Sequence, residues 1–165
     1  MSDLAPFEVL LERAAGEALP LPPELAALYG RLALPAPAGR PFVAANFITT
    51  LDGVVAYDLP SKPGGGDIGG QSAHDRALMG LLRATADAIV VGASTSRVVP
   101  RHVWTPAAIY APLAGAYQML RAALGRSGPP LTVVVSRSGQ LDLARRVFAG
   151  GEAPVLIVTT AAGVH

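Results

Sequence analysis

Three continuous apolar runs divide the second half of the chain, and each ends on small or hydroxyl-bearing residues. Runs of this length that are rich in β-branched residues predict strands buried on both faces of a parallel or mixed sheet. Ligands bind such sheets outside the carboxyl ends of the strands, so the residues after each run are candidates for binding. The runs are 88–91 before Gly92, 131–135 before Ser136, and 155–158 before Thr159 and Thr160.

Helical spacing fills the segments between the runs. Ser72 is the expected N-cap of a helix that continues to Ala84, and Asp75 lies in the first turn, where a carboxylate is favoured. Shorter helices are predicted over residues 114–124 and 141–148. The alternation of strands and helices predicts an α/β sheet with crossover connections.

The pattern of the first 39 residues predicts a helical extension at the amino terminus. Helices are expected over residues 6–15 and 22–32, followed by a proline-rich linker. The pattern PFVAANFITT at residues 41–50 then predicts the first strand of the main domain, which occupies residues 40–165.

The composition of the chain argues against several kinds of binding partner and reactive site. The net charge of +1 offers no basic surface, so no nucleic-acid partner is expected. The chain has no cysteine and its three histidines lack metal-ligand spacing, so no disulfide, thiolate nucleophile or metal site is predicted. The amino terminus lacks a signal peptide and no run is long enough to cross a bilayer, so we expect a cytoplasmic protein with no membrane partner.

The segment TTLDG at residues 49–53 permits two interpretations. Asp-Gly between apolar runs favours a hairpin with a type I′ turn. Alternatively, a strand ends here in hydroxyls and a carboxylate that face a cleft. Asn46 and Thr50 then share one face of the strand, since alternate side chains point the same way, and they bind one polar ligand together.

The glycine-rich segment GGGDIGG at residues 64–70 lacks the mechanics of a phosphate-binding loop. A Walker loop needs Lys and Ser or Thr directly after its last glycine, whereas here Lys62 precedes the glycines and Gln71 follows them. We expect no regular element over residues 59–70, and a mobile flap or a plain linker are the interpretations that remain.

Arg83 and the residues after the first apolar run are candidates for phosphate contacts. Arg83 lies late in a predicted helix, where it either interacts with the helix carboxyl end or reaches a ligand phosphate. Gly92 lets a ligand approach the backbone closely. Ser94 and Thr95 follow, and Thr95 is expected to cap a turn or donate to a phosphate.

Ser136 and Arg137 follow the second run. A hydroxyl beside a bidentate guanidinium suits the 2′-phosphate of an adenosine nucleotide, although such a pair is also common in surface turns. Together with Gly92 and Thr159, the pair is predicted to lie along one edge of the sheet and to face a phosphorylated cofactor.

Two ordered motifs resemble the reductase domain of bacterial riboflavin biosynthesis. The first, RPFV followed by NFITTLDG within residues 40–53, is similar to the family's serine-leucine-aspartate-glycine strand end. The second, LRATADAIVVGAST at residues 82–95, is similar to the family's leucine-arginine-alanine helix end and its Asp-Ala-Ile-Leu-Val-Gly-Ala-Gly-Thr stretch. The similarity covers roughly residues 40–160.

The resemblance implies a dihydrofolate-reductase-like fold, with a mixed, mostly parallel sheet flanked by helices. It also implies NADPH as the cofactor and a phosphorylated pyrimidine as the substrate. In that family a ribosylamino-pyrimidine 5′-phosphate is reduced to its ribitylamino form, with hydride passing to C1′ of an open-chain imine. The cofactor supplies the hydride, and the protein supplies orientation and electrostatics.

The resemblance also suggests roles for individual residues. Arg83 matches an arginine that contacts the substrate, and Thr95 matches a threonine that contacts NADPH. The backbone at Ile48 and Thr49 matches a stretch near the cofactor, and Ser136 falls near a serine that contacts it.

In the reductase interpretation Asn46 and Thr50 position the substrate, and Thr50 and Asp52 are the candidate catalytic residues. Asp52 is expected to help organise the site. The remaining candidate cofactor contacts lie at the ends of the predicted strands: Gly92, Ser94, Arg137, Thr159 and Thr160.

The chain departs from the family in three places, one of which is the glycine-rich segment, where Gly65 and Asp67 stand in place of the serine and tryptophan that often precede the isoleucine. Residues 96–100 (SRVVP) hold no acid where the family often has an aspartate on NADPH, and the chain stops before the family's Glu-Gly-Gly-Pro phosphate loop and substrate-contacting glutamate. We therefore expect a truncated sheet without its C-terminal strands, whose open edge favours a homodimer. The alternative to a reductase is a non-catalytic fragment that holds a dinucleotide without turnover.

Overall fold

A computed structural model describes residues 4–11, 16–35, 39–57, 59 and 65–164. The described chain contains a three-stranded parallel sheet with helices packed beside it, which confirms the α/β class. The elements, in chain order, are α1 (Pro23–Tyr29), α2 (Gly65–Ile68), α3 (Ala73–Thr85), β1 (Ala88–Gly92), α4 (Ala93–Val98), α5 (Pro106–Ile109), α6 (Ala114–Ala123), β2 (Leu131–Ser136), α7 (Arg146–Ala149) and β3 (Val155–Thr159), with 3₁₀ turns at Ala111–Leu113 and Ala161–Gly163.

The three strands lie in the order β1-β2-β3. Val90 lies opposite Val133, which in turn lies opposite Leu156, so these three side chains share one face of the sheet. Each of the three predicted apolar runs forms a strand, and the order along the chain is also the order in space.

The helices cover one face of this sheet. Val91 packs against Trp104 and Val147 on that face, whereas Val90 is 69% exposed on the other. The expectation of burial on both faces is therefore wrong within the described residues. The reason is topological, because right-handed crossovers between strands added in one direction place all of the connections on the same side.

A second core lies between the helices. Leu25 of α1, Leu81 of α3 and Leu120 of α6 are each at most 3% exposed and belong to one apolar cluster. The hydroxyl of the buried Tyr117 donates to the carbonyl of Ala77 at 2.9 Å, which ties α6 to α3. Although α1 lies in the segment predicted as an extension, it packs in the same core as α3 and α6.

The predicted limits of α3 are confirmed at both ends. Ser72 is the N-cap, and its hydroxyl accepts a hydrogen bond from the backbone N–H of Asp75 at 3.3 Å. At the other end the buried Arg121 donates to the carbonyls of Ala84 and Ala86, at 3.1 and 2.7 Å. Both ends of α3 therefore have the partners that helix termini require.

The predicted first strand is wrong. Residues 41–50 are extended but belong to no strand of the described chain, and Phe47 is 78% exposed. An apolar pattern indicates an extended backbone, but a strand also needs a neighbour for its N–H and C=O groups, and both recorded pairings of the sheet lie among β1, β2 and β3.

Several local predictions also differ from the structure. The predicted helix at residues 6–15 is absent over 6–11, and residues 12–15 lie outside the described chain. The glycine-rich segment, predicted to hold no regular element, contains α2, while its residues 60–64 lie outside the described chain. A Cβ built on Gly69 would lie 2.6 Å from Ile48, so this glycine allows the turn after α2 to pack on that side chain.

Candidate functional site

The carboxyl ends of the three strands lie side by side at one edge of the sheet. Gly92 is opposite Val135, and Ser136 is opposite Thr159. The adjacency predicted for these strand ends is therefore confirmed, because all three strands are parallel. Each strand end leads directly into a loop or helix that forms the rim of this edge.

The rim is most open where β1 leads into α4. A Cβ built on Gly92 would meet nothing within 4 Å, so the backbone there faces open space. Ser94 and Thr95 are exposed in the first turn of α4. Thr95 is not the N-cap that the sequence suggested, since Gly92 holds that position without a side-chain cap.

At the ends of β2 and β3 the hydroxyl groups are engaged with the protein itself. The Ser136 hydroxyl accepts a hydrogen bond from the N–H of Gly139 at 3.2 Å. Thr160 donates to the carbonyl of Arg137 at 2.9 Å. The Thr159 hydroxyl is buried against Gly163 and has no hydrogen-bond partner among the described residues. The hydroxyls of Ser136 and Thr160 therefore stabilise their own loops, and that of Thr159 is buried, in contrast to the open backbone at Gly92.

A cavity of about 490 Å³ lies at the same end of the sheet, between α4 and the segment that leads into α7. Ser96 and Arg97 line one wall, and Asp142, Arg145 and Phe148 line the other. Two guanidinium groups and one carboxylate give the walls a net positive charge. The cavity therefore suits a ligand that joins an anionic group to an apolar body.

Arg145 joins the two walls of this cavity. One of its terminal nitrogens donates to the carbonyls of Ser96 and Arg97, at 2.7 and 2.9 Å. Its Nε lies 3.5 Å from a carboxylate oxygen of Asp142. Because these carbonyls belong to the last turn of α4, the arginine holds that helix against the loop before α7.

Arg83 is buried beneath the loop that follows α4. Its guanidinium donates to the carbonyls of Val103 and Thr105, at 3.5 and 3.3 Å, and to Nε2 of His102 at 3.1 Å. Burial lowers the pKa of Arg83 to about 10. Arg83 therefore connects α3 to a loop that is distant in the chain. Neither of the roles predicted from the sequence, at the helix carboxyl end or on a ligand phosphate, describes this contact.

The hydrogen bond from Arg83 fixes the state of the His102 ring. Because a guanidinium only donates, Nε2 of His102 is the acceptor and the ring is neutral. Burial, together with the nearby Arg83 charge, lowers the pKa of His102 to about 4. The ring also meets Trp104 edge-on, with the ring centres 5.0 Å apart.

The candidate catalytic residues Thr50 and Asp52 lie in a local turn. Gly53 N–H donates to the Thr50 carbonyl at 3.0 Å, the Val54 N–H donates to the Thr50 hydroxyl at 2.9 Å, and that hydroxyl donates to Asp52. In this turn positive φ occurs at Gly53 alone, so the expected type I′ turn is wrong and the geometry is a type I turn followed by a glycine bulge.

Asn46, Ile48 and Thr49 precede this turn on the extended segment. Because no strand forms there, the common face predicted for Asn46 and Thr50 is not established. Asn46 and Thr49 are exposed, and Ile48 packs beneath α2. The structure thus brings together the predicted residues at the strand ends, but it does not join the 46–52 segment to them.

Sequence reasoning missed the cavity. Arg97 and Arg145 are far apart in the chain, and no local motif marks the contact between them. All of the basic residues except Lys62 are arginines, which suit the binding of phosphate or carboxylate, but this composition names no positions. The sequence predicts a strand end around Ser94, whereas the structure has α4 there. The Ser and Thr residues of this segment have modest helix propensity, so the pattern did not indicate a helix.

No group of three or more His, Asp or Glu residues in the described ranges is placed to hold a metal ion. None of the helices in the described part of the chain is long and apolar enough to cross a membrane.

The family comparison agrees with the fold. No individual curated protein sequence matches the chain. The family model of the RibD C-terminal domain, which has a dihydrofolate-reductase-like fold, matches residues 41–163. This match spans the extended segment, the glycine-rich segment and all three strands. The chain therefore belongs to the RibD C-terminal domain family, the reductase-like domain of riboflavin biosynthesis.

Proposed function

We propose that the chain is an NADPH-dependent reductase that converts a ribosylamino-pyrimidine phosphate into its ribitylamino form. The observation that carries this proposal is the family match over residues 41–163, which includes both sequence motifs. The open carboxyl edge of the sheet supports it, since ligands of α/β sheets bind at this edge.

The residues at this edge fit a dinucleotide. The open backbone at Gly92 allows close approach of a ligand, and Thr95 presents an exposed hydroxyl directly after it. The positively charged cavity beside α4 accommodates a phosphate. When bound, NADPH supplies the hydride, and the protein binds and orients the two reactants.

The other residues are assigned from the sequence. Asn46 and Thr50 position the substrate, while Ile48 and Thr49 lie near the cofactor. Asp52 accepts a hydrogen bond from Thr50 and so fixes the orientation of that hydroxyl. Arg83 has its donors on loop carbonyls, and we propose that it positions residues 102–105 for substrate binding.

The test is a titration of the full chain with NADPH and with NADH, followed by fluorescence, and then an assay of NADPH oxidation with the ribosylamino-pyrimidine phosphate. The proposal expects saturable binding with a preference for NADPH, and substrate-dependent oxidation. Absence of binding to both cofactors would contradict it. The Thr50→Val variant should bind NADPH like the original chain but turn over more slowly.

Binding without turnover would favour the second candidate, a dinucleotide-binding domain that is not an enzyme. The observation in its favour is that Thr50 and Asp52 lie in a turn whose hydrogen bonds run within residues 50–54. The same titration and assay distinguish the two candidates, because only the reductase oxidises NADPH when substrate is added.

We further propose that the chain forms a homodimer through the uncovered face of the sheet. Val90, Leu156 and Val158 are 69%, 48% and 44% exposed on this face, an apolar row of the kind that marks an interaction surface. Sedimentation velocity should show a dimer that dissociates in the Val90→Lys variant. A monomer at all concentrations would contradict the proposal.

A further inference from the structure

We infer that the cavity between α4 and α7 receives the 2′-phosphate end of the cofactor, and that Arg97 determines the preference for NADPH over NADH. The inference rests on the proposed function and deepens it. It replaces Arg137, the residue that the sequence favoured for this phosphate, with an arginine on a different element.

The position of Arg97 supports the inference. It lies one turn after the open strand end at Gly92, and its guanidinium donates to the Ser94 hydroxyl at 3.1 Å. This hydrogen bond holds the charged group beside the exposed first turn of α4. Ala93, the residue directly after Gly92, lines the cavity together with Arg97, so the cavity begins where the strand ends.

The charges in the cavity leave Arg97 as the main attraction for a phosphate. Asp142 is the carboxylate of the lining, and it lies 3.5 Å from Arg145. Arg145 also donates to two backbone carbonyls of α4. Arg97 instead donates to a neutral hydroxyl, so its positive charge is less compensated.

The β2 end offers a weaker site for the same phosphate. Ser136 is only 5% exposed, and its hydroxyl oxygen accepts a hydrogen bond from the N–H of Gly139, so a ligand has little access to it. Arg137 lies outside the lining of the cavity. A phosphate there would have one exposed arginine, whereas in the cavity Arg97 is accompanied by an aromatic wall at Phe148 on which adenine can stack.

The experiment compares the dissociation constants of NADPH and NADH for the full chain and four variants, one of which, Arg137→Gln, tests the competing site at the end of β2. Arg97→Gln removes the charge, and Arg97→Lys keeps the charge but loses bidentate binding. Arg101→Gln is the matched control, an exposed arginine on the loop after α4 that does not line the cavity. Far-ultraviolet circular dichroism and thermal melting check that each variant is folded.

The expected result is a loss of about 10-fold or more in NADPH affinity for Arg97→Gln, with NADH affinity unchanged, as for removal of a hydrogen bond to a charged group. The NADPH affinity of Arg97→Lys should fall between that of the original chain and that of Arg97→Gln. Arg101→Gln should retain the preference for NADPH. If Arg137→Gln abolishes the preference and Arg97→Gln retains it, the inference is overturned while the proposed function stands. If the original chain binds neither cofactor, both fail together.

Discussion

In the central strand β2, valines of the same apolar run lie on the two faces of the sheet in opposite environments. Val134 is fully buried under the helices, whereas its neighbour Val135 is 43% exposed on the other side. Both belong to one apolar run, and no feature of that run distinguishes them. The comparison teaches that in a parallel sheet the connections decide which face is covered, because their handedness fixes the side on which the helices lie.

The largest expected effect is the difference between these two valines. Val134→Ala should lower the free energy of unfolding by about 2–3 kcal/mol, because it removes buried methyl groups and leaves a cavity. At a concentration where the chain is monomeric, Val135→Ala is the matched control and should cost no more than about 0.5 kcal/mol, as is typical of exposed positions. Urea unfolding measures both, and equal losses would show that the second face is covered in solution.

The helical core offers a second comparison, between two glycines. Gly80→Ala should destabilise the fold by about 1–3 kcal/mol, in the manner of an overpacked core. A Cβ there would lie 2.5 Å from the Tyr117 ring, which is held by its hydrogen bond to Ala77. Gly115 in α6 has nothing within 4 Å of its Cβ position.

Gly115→Ala is therefore the matched control, and it should stabilise the chain by up to about 1 kcal/mol because alanine is the better helix former. Thermal melting of the two variants gives the sign of each change. A stabilising Gly80→Ala would mean that Tyr117 does not pack against α3.

The free energy of unfolding should also depend on pH, through His102 on the covered side. His102 has a pKa of about 4 in the folded protein, against 6.5 for an unperturbed histidine, so the unfolded chain binds its proton more readily between these values. The stabilisation is complete above pH 6.5 and is lost as the pH falls toward 4. For a partly exposed ring we expect a loss of about 1–2 kcal/mol.

Unfolding by urea at pH 7 and pH 5 measures this dependence. The His102→Gln variant keeps an acceptor for Arg83 but does not titrate, so its stability should change less between the two pH values. An identical change in both proteins would show that His102 is not the group responsible.

The smallest expected effect lies at the rim, where the two faces meet. Thr95→Ala should weaken NADPH binding by about 0.5–1.5 kcal/mol, the net value of one hydrogen bond. Stability should stay the same, because Thr95 is exposed. Fluorescence titration and melting test the two halves of this expectation, and an unchanged affinity would remove Thr95 from the binding site.

The parts of the fold that the sequence predicted are those fixed by local chemistry. The apolar runs gave β1, β2 and β3, and Ser72 with Asp75 marked the start of α3. The prediction of a strand at residues 41–50 is wrong because strand pairing depends on a partner that is distant in the chain, and an extended pattern does not identify that partner. At the candidate site, the sequence predicted that the strand ends lie side by side, because this follows from parallel pairing. It did not predict the role of the buried Arg83, because the carbonyls that accept its hydrogen bonds, at residues 103 and 105, are remote in the chain.

The agreement between chain order and spatial order has a consequence for how the protein forms. Each strand pairs with the strand that precedes it in the chain, so no strand of the described sheet must be inserted between two others. The connection from β2 to β3 is shorter than that from β1 to β2. Closing the shorter loop costs less entropy, so we expect β3 to pair with β2 more readily than β2 pairs with β1.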